Sequence, residues 1–219
     1  MKSKPNHILS TVNCQLSTVI VANGKFPEHE IPLNLLRNAE IVVCCDGAIT
    51  QLDKNGIKPT VIVGDLDSLS DNYRLRFAEK LSHDPDQNTN DLTKAIKWCK
   101  SNNLYNIDIV GATGIREDHT LGNIGLLPSY ARLGIQVRLI TDNGIIIPLI
   151  QSSTLESFKG QQISIFSPNN STKITTTNLK YPIVNSTLDE LWMGTLNESL
   201  GDSFTLEFNT GPLIIFQEF

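Results

Sequence analysis

Two aspartates separated by a single residue, Asp65 and Asp67, follow an apolar run in the segment VIVGDLDS. In extended backbone, carboxylates at i and i+2 project to the same side, roughly 6–7 Å apart. Like charges this close repel unless a cation lies between them, and hard carboxylate oxygens suit Mg²⁺ that also binds phosphate. The pair favours metal-dependent phosphoryl transfer, while the segment alone is equally consistent with Asp67 and Ser68 capping the next helix.

Three further acid-bearing segments occur in the same part of the chain. Asp46 follows the apolar run IVVCC, Asp91 ends the segment DQNTND before a helix, and GATGIREDH contains Arg116 and Asp118. Each has a plain structural explanation, as a turn, a helix cap and a surface ion pair. Their occurrence at successive element ends predicts one cluster of acids with an arginine, which is the composition of a site for Mg²⁺-assisted phosphoryl transfer.

The elements that would position these residues alternate between strands and helices. STVIVANG, IVVCCDGA, PTVIVGDLDS, NIDIVGATG and QVRLITD predict strands, whereas NYRLRFAEKL, NDLTKAIKWCKSN and HTLGNIGLLPSYARLG predict helices, the last broken or bent at Pro128. This alternation indicates a mainly parallel sheet flanked by helices, in which ligands bind beyond the carboxyl ends of the strands.

Near residue 145 the pattern changes to short strands bounded by Gly, Pro, Asn and Ser. These strands are GIIIPLI, QQISIFSP, KITTTNLKYPI, DSFTLEF and PLIIFQEF. Such a series predicts an antiparallel β-sandwich or half-barrel. We therefore predict two domains: a Rossmann-like parallel α/β domain over residues 1–145 and an antiparallel β-sandwich domain over residues 146–219.

Composition narrows the function classes. Lys and Arg number 18 against 23 Asp and Glu, and because no basic run is present, a nucleic-acid partner is disfavoured. No apolar run reaches the about 18–20 residues that span a bilayer, and the N-terminus lacks the apolar core of a signal peptide, so we expect a cytoplasmic protein that contacts no membrane. The sequence lacks GxxxxGK[ST] and GxGxxG, which disfavours P-loop and NAD-binding enzymes.

The four cysteines, Cys14, Cys44, Cys45 and Cys99, form no CxxC pair. A zinc site therefore has little support, and reduced, mostly buried thiols are expected.

Taken in order, the motifs resemble those of thiamine pyrophosphokinases. The series runs from DG at Asp46 through GDLDS and the DQ…D segment to the GxRxDH pattern that ends at His119, with Asn123 after it. Downstream, GQQIS, LKYP and GTLNE are similar to the family's GxxIS, GLKYP and GxSNE segments. The resemblance extends from about residue 18 to the end of the chain.

This resemblance implies a homodimer in which an α/β nucleotide-binding domain precedes a β-sandwich. ATP and Mg²⁺ would lie on the acidic strand ends, and the thiamine site would form between the α/β domain of one subunit and the β domain of the other. The thiamine hydroxyl would attack the β-phosphorus of ATP, and AMP would leave.

The same resemblance assigns roles residue by residue. It implies metal ligands at Asp46, Asp65 and Asp67, and ATP contacts at Asp46, Gly64, Ser68, Gln87 and Arg116. It places the catalytic acids at Asp65, Asp67, Asp91 and Asp118, with Asp91 and Asp118 near the thiamine hydroxyl. Tyr181 and Asn197 would contact thiamine, whose cationic thiazolium favours an aromatic face.

Three positions depart from the family's pattern. Ile115 replaces a glycine before the arginine, Asn90 replaces a threonine before the helix-opening acid, and Leu196 replaces a serine. None removes a charge from the acidic cluster, so these changes concern affinity and the choice of thiamine analogue.

The residues alone are also consistent with four different functions. VIVGDLDS is similar to the nucleophile strand of haloacid dehalogenase phosphatases, although two strands precede it here. The acidic segments would also suit a Mn²⁺-dependent DxD glycosyltransferase, a nucleotide-sensing module without turnover, or a related transferase acting on a pterin alcohol.

Overall fold

The computed structural model describes residues 16–219, so Cys14 and the N-terminal segment that precedes Leu16 lie outside it. Contacts divide the chain between Pro148 and Leu149, giving a first unit, Leu16–Pro148, and a second unit that contains Leu149–Phe219. No helix in the described part of the chain is long and apolar enough to cross a membrane.

The first unit is built on a mostly parallel sheet. Its strands are β1 (Thr18–Val21), β2 (Ile41–Cys45), β3 (Val61–Gly64), β4 (Leu81–His83), β5 (Asn106–Val110), β6 (Gln136–Ile140) and β7 (Gly144–Leu149). They lie in the order β7-β6-β5-β1-β2-β3-β4, with β1 to β6 parallel and β7 antiparallel to β6. The central strands β1, β2 and β3 are apolar and almost fully buried, as expected of a sheet covered on both faces.

Five helices accompany this sheet: α1 (Glu30–Arg37), α2 (Ile49–Lys54), α3 (Asp71–Arg76), α4 (Asp91–Ser101) and α5 (Glu117–Arg132). Helix α4 buries the apolar face predicted from its 3.6-residue periodicity, which consists of Leu92, Ala95, Ile96 and Cys99. Helix α5 continues through Pro128, so the proline does not end it.

One predicted helix is much shorter than its sequence suggested. The segment NYRLRFAEKL ends its helix at Arg76, passes through a 3₁₀ turn and enters β4 at Leu81. There Leu81 pairs with Ile62 and His83 pairs with Gly64. Pairing with the sheet edge therefore outweighs the local helical preference of these residues.

The second unit is antiparallel throughout its described pairings. Its strands are β8 (Ser153–Glu156), β9 (Gln162–Phe166), β10 (Ile174–Thr177), β11 (Asn197–Glu198), β12 (Ser203–Phe208) and β13 (Leu213–Glu218). They form the arrangements β11-β9-β13 and β10-β12-β8. Alternate residues such as Ile163, Ile165, Phe204 and Leu206 are buried, which is the inward-facing half of a period-2 pattern.

Candidate active site

A cleft of about 520 Å³ lies at the carboxyl ends of the parallel strands. Its walls come from the loops after β1, β3, β4 and β5, from the end of β2 and from the N-terminal parts of α4 and α5. Among the residues predicted from sequence it gathers Asp65, Gln87, Asp91 and Arg116. This is where a parallel α/β sheet places its ligands.

The turn between Asp65 and Asp67 is held in a strained shape. Leu66 has a φ of 64°, a left-handed conformation that costs a non-glycine residue about 1–2 kcal/mol. Its backbone N–H donates to Asp46 Oδ2 at 2.9 Å, and the Arg74 guanidinium donates to its carbonyl oxygen. These contacts from both sides set the directions in which the Asp65 and Asp67 carboxylates leave the chain.

Asp46 lies beneath this turn rather than at the cleft surface. The residue is 2% exposed, and its other carboxylate oxygen, Oδ1, accepts the Gly47 N–H at 2.6 Å. Burial raises the pKa of Asp46, and the negative charges of Asp91 and Asp65 raise it further. Because both oxygens accept backbone N–H groups, the structure gives Asp46 a positioning role, and metal binding by this residue stays a prediction.

The packing of Asp46 also explains why position 64 is a glycine. A Cβ at this position would lie 2.5 Å from Asp46 Cγ, so a larger residue would displace the buried carboxylate. The space beside Gly64 is thus occupied by Asp46, and the predicted contact of Gly64 with ATP is not tested by this geometry. Ser68 lies three residues after Asp65, in the exposed part of the same loop.

A lysine that sequence reasoning missed joins two of the predicted acids. Lys94 is 2% exposed, and its Nζ lies 3.1 Å from Asp91 Oδ1 and 3.5 Å from Asp65 Oδ2. Burial alone would lower the pKa of Lys94, but hydrogen bonds and attraction to the two carboxylates outweigh it and raise the pKa. In the sequence, Asp91 and Lys94 form an i,i+3 pair on a predicted helix, and this pattern is typical of an exposed surface ion pair. It therefore gave no sign that Lys94 is buried.

Asp65 is stabilised as a carboxylate by several donors. The Asp67 N–H donates to its Oδ1 at 3.2 Å and Gln87 Nε2 donates to its Oδ2 at 3.3 Å. These bonds, together with Lys94, lower the pKa of Asp65. Asp65 therefore carries a negative charge at neutral pH.

Arg116 and Asp118 form an ion pair at the start of α5, with Arg116 Nε 3.0 Å from Asp118 Oδ1. This bond, with a second from the His119 N–H, lowers the pKa of Asp118 to about 2. Both side chains are exposed, so the pair contributes little to stability. Only Arg116 of the two lines the cleft, and the pairing must loosen if its guanidinium is to bind another anion.

Two asparagines connect the helices that frame the cleft. Asn90 Oδ1 accepts the Thr93 N–H at 2.9 Å, which confirms that asparagine caps α4 at this position. Asn90 Nδ2 donates to Asn123 Oδ1 at 3.3 Å, and Asn123 Nδ2 donates to the Ala112 carbonyl at 2.8 Å. This chain of bonds connects the loop after β5 to the N-cap of α4 and to the second turn of α5.

In the second unit, Tyr181 and Asn197 lie side by side. Asn197 is buried, accepts the Tyr181 N–H at 3.0 Å and donates to the Tyr181 carbonyl at 2.7 Å. Tyr181 itself is 60% exposed and lies in the wall of a cleft of about 390 Å³. Asn197 therefore fixes the backbone that presents the aromatic ring, while Leu196, exposed and left-handed at φ 56°, lines the same cleft.

Comparison with known proteins adds the decisive observation. The family model for the thiamin pyrophosphokinase catalytic domain matches residues 33–139, and the model for the thiamin pyrophosphokinase substrate-binding domain matches residues 144–216. The chain belongs to the thiamin pyrophosphokinase family. The resemblance inferred from the motifs is thus confirmed.

Individual family members support the same assignment. Thiamine pyrophosphokinase of Bacillus subtilis (strain 168) is 30% identical over 182 residues, covering 78% of this chain and 83% of that protein. Thiamine pyrophosphokinase 1 of Oryza sativa subsp. japonica is 31% identical over 204 residues, covering 78% of this chain and 75% of that protein. The prediction of a diphosphokinase-type transferase is therefore confirmed at the level of the family.

A solved structure of the family confirms the predicted fold class. The crystal structure of thiamine pyrophosphokinase from Bacillus subtilis matches with a TM-score of 0.76 and 27% identity, covering 92% of this chain and 98% of that one. The α/β domain followed by a β-sandwich, expected from the sequence, is therefore the fold of this family member.

The donor set of this thiamin pyrophosphokinase family member agrees with one mode of Mg²⁺ binding. Within residues 16–219, no three His, Cys, Asp or Glu side chains are grouped as a ready-made metal cage. Mg²⁺ is commonly held by one or two carboxylates together with substrate phosphates and water rather than by a cage of protein ligands. Asp65 and Asp67, presented by the strained turn, fit that mode.

The predicted residues thus separate into groups. Residues that line the first cleft are Asp65, Gln87, Asp91 and Arg116. Residues of the first unit that the cleft lining does not include are Asp46, Gly64, Asp67, Ser68 and Asp118. Residues of the second unit are Tyr181 and Asn197. The roles assigned to them in binding and catalysis stay predictions.

Proposed function

We propose that the protein transfers the pyrophosphoryl group of ATP to the hydroxyl of thiamine, in a reaction that depends on Mg²⁺ and yields thiamine diphosphate and AMP. Family membership supports the chemistry, and one structural observation carries it. That observation is the convergence of Asp65, Asp91 and Arg116 on one cleft at the carboxyl ends of the strands. The cytoplasmic location expected from the sequence stays a prediction.

The charges of the cleft suit a metal–nucleotide complex better than a free nucleotide. Asp65 and Asp67 would hold Mg²⁺, which when bound would neutralise phosphate charge and favour attack at phosphorus. Without a cation, the carboxylates around the cleft would repel a polyphosphate. We therefore infer that Mg²⁺ and the nucleotide bind together at these carboxylates.

The remaining side chains bind and orient the reactants. Arg116 offers a planar guanidinium that can donate two hydrogen bonds to phosphate oxygens. Asp91, held by Lys94, is a fixed acceptor for the thiamine hydroxyl proton. Asp118 is a poor proton acceptor while Arg116 holds its pKa at about 2, so we assign it to positioning unless the pair opens.

The reaction is tested by incubating the purified protein with ATP, Mg²⁺ and thiamine and measuring thiamine diphosphate by chromatography. Product is expected only when all three components are present, and EDTA should abolish it. Binding of ATP with no thiamine-dependent product would contradict this function and indicate a nucleotide-sensing module without turnover.

We further propose that the working unit is a homodimer whose sites draw on both chains. The acids lie in the first unit of the chain, whereas the aromatic candidate for a cationic ring, Tyr181, lies in the second. Tyr181→Ala should weaken thiamine binding by about 1–2 kcal/mol through loss of a cation–π contact, with ATP use unchanged. Lys180→Ala, which removes the neighbouring cation but keeps the ring, is the matched control.

Subunit mixing tests the shared site directly. An Asp67→Asn chain and a Tyr181→Ala chain are each impaired, but a heterodimer of the two should contain one intact site. Recovered activity after demonstrated subunit exchange is the expected result. An active monomer in sedimentation, or exchange without recovery, would contradict a site that draws on both chains.

A further inference from the structure

Lys94 lies where a cation is disfavoured, because its side chain is shielded from solvent and close to the N-terminus of α4. Its side chain is almost fully buried in the first turn of α4, where the helix dipole disfavours positive charge. Burying an ammonium group is costly unless nearby charges compensate. The compensation must therefore come from its partners in the cleft wall.

Those partners are carboxylates from two separate elements. Asp65 belongs to the loop after β3 and Asp91 begins α4, and the Lys94 ammonium lies within 3.5 Å of an oxygen of each. The two carboxylates retain exposed fractions of 25% and 40%, and both line the cleft. Lys94 thus supplies from within the protein one positive charge beside two neighbouring carboxylates.

We propose that Lys94 is a built-in counter-ion, which holds Asp65 and Asp91 in place before any metal arrives and competes with free divalent cations for Asp65. This inference rests on the proposed function only in that Asp65 meets a metal ion. A lone cation meets a carboxylate whose negative charge the Lys94 ammonium already offsets in part, whereas a metal–polyphosphate complex also brings negative charge that the ammonium attracts. The metal is therefore expected to enter bound to the nucleotide.

The test measures cation binding without nucleotide. Mn²⁺ is titrated into the nucleotide-free protein and followed by electron paramagnetic resonance. Lys94→Met should bind Mn²⁺ roughly tenfold or more tightly than the natural protein, because a competing charge within contact distance of Asp65 is gone. Ca²⁺ should likewise raise the melting temperature of the variant more than that of the natural protein.

Lys97→Met is the matched control. Lys97 lies three residues further along α4 and also forms an ion pair, to Asp86 at 3.1 Å, but it is half exposed and outside the cleft lining. It should leave Mn²⁺ affinity unchanged. If Lys94→Met does not fold, Lys94→Gln, which keeps a donor for Asp91 and loses only the charge, is expected to show the same gain.

Two outcomes would overturn the proposal. The first is equal Mn²⁺ affinity in the natural protein and the charge-removing variant. The second is a gain that persists when Asp65→Asn is added to Lys94→Met, since the cation would then bind elsewhere. Absence of thiamine diphosphate formation by the natural protein would defeat the proposed function and leave this binding result standing.

Discussion

Asp67→Asn is expected to lower turnover on the order of 10²-fold or more while the protein remains folded. The substitution keeps the size of the side chain and removes one charge from the proposed Mg²⁺ site, where the metal contributes several kcal/mol to transition-state stabilisation. Asp67 is exposed in the GDLDS loop, so the fold does not depend on its carboxylate. Turnover at saturating Mg²⁺ and the melting temperature are the two measurements.

Asp71→Asn provides the control for this substitution. Asp71 is also exposed and begins α3 only four residues later, so it shares the local charge environment without following β3 directly. Its replacement should leave turnover within about twofold, as for other surface substitutions. Near-normal turnover of Asp67→Asn would show that Asp67 takes no part in metal binding and serves only the loop before α3.

Arg116→Lys is expected to lower kcat/KM for ATP on the order of 10²-fold and to change the KM for thiamine by about twofold or less. A lysine keeps the charge but has a single ammonium, whereas the guanidinium can contact two phosphate oxygens at once. Loss of ATP use with thiamine binding retained would locate Arg116 at the polyphosphate. Steady-state kinetics with each substrate varied in turn give both numbers.

The matched variant for Arg116 is Arg76→Lys. Arg76 is another exposed arginine paired with an aspartate, Asp53, at 2.7 Å, but it lies at the end of α3 and outside the cleft lining. It should have normal kinetics. Small and equal changes for both substrates in Arg116→Lys would show that Arg116 serves only its surface pair with Asp118.

The features predictable from sequence are those governed by local pattern. The apolar runs of β1, β2 and β3 and the periodic face of α4 lie where their patterns indicated. The acid-bearing loops then follow from topology, because parallel strands deliver their carboxyl ends to one edge of the sheet. This is why Asp65, Asp91 and Arg116 could be expected to share a cleft.

The features that escaped prediction depend on contacts between distant segments. Strand β4 has three residues and exists through its pairing with β3, and β11 has two residues and exists through its pairing with β9. Leucine has no preference for the left-handed region, so the conformation of Leu66 follows from Asp46, twenty residues away. The buried ammonium of Lys94 is paired with Asp91 of its own helix and also with Asp65, which a distant loop contributes.

The nucleotide that accompanies the thiamine product distinguishes transfer of a pyrophosphoryl group from transfer of a single phosphoryl group. The protein is incubated with Mg²⁺, thiamine and ATP, and nucleotides and thiamine phosphates are separated and quantified over time. We expect AMP and thiamine diphosphate in equal amounts, with no lag in thiamine diphosphate. Formation of ADP together with thiamine monophosphate would contradict it.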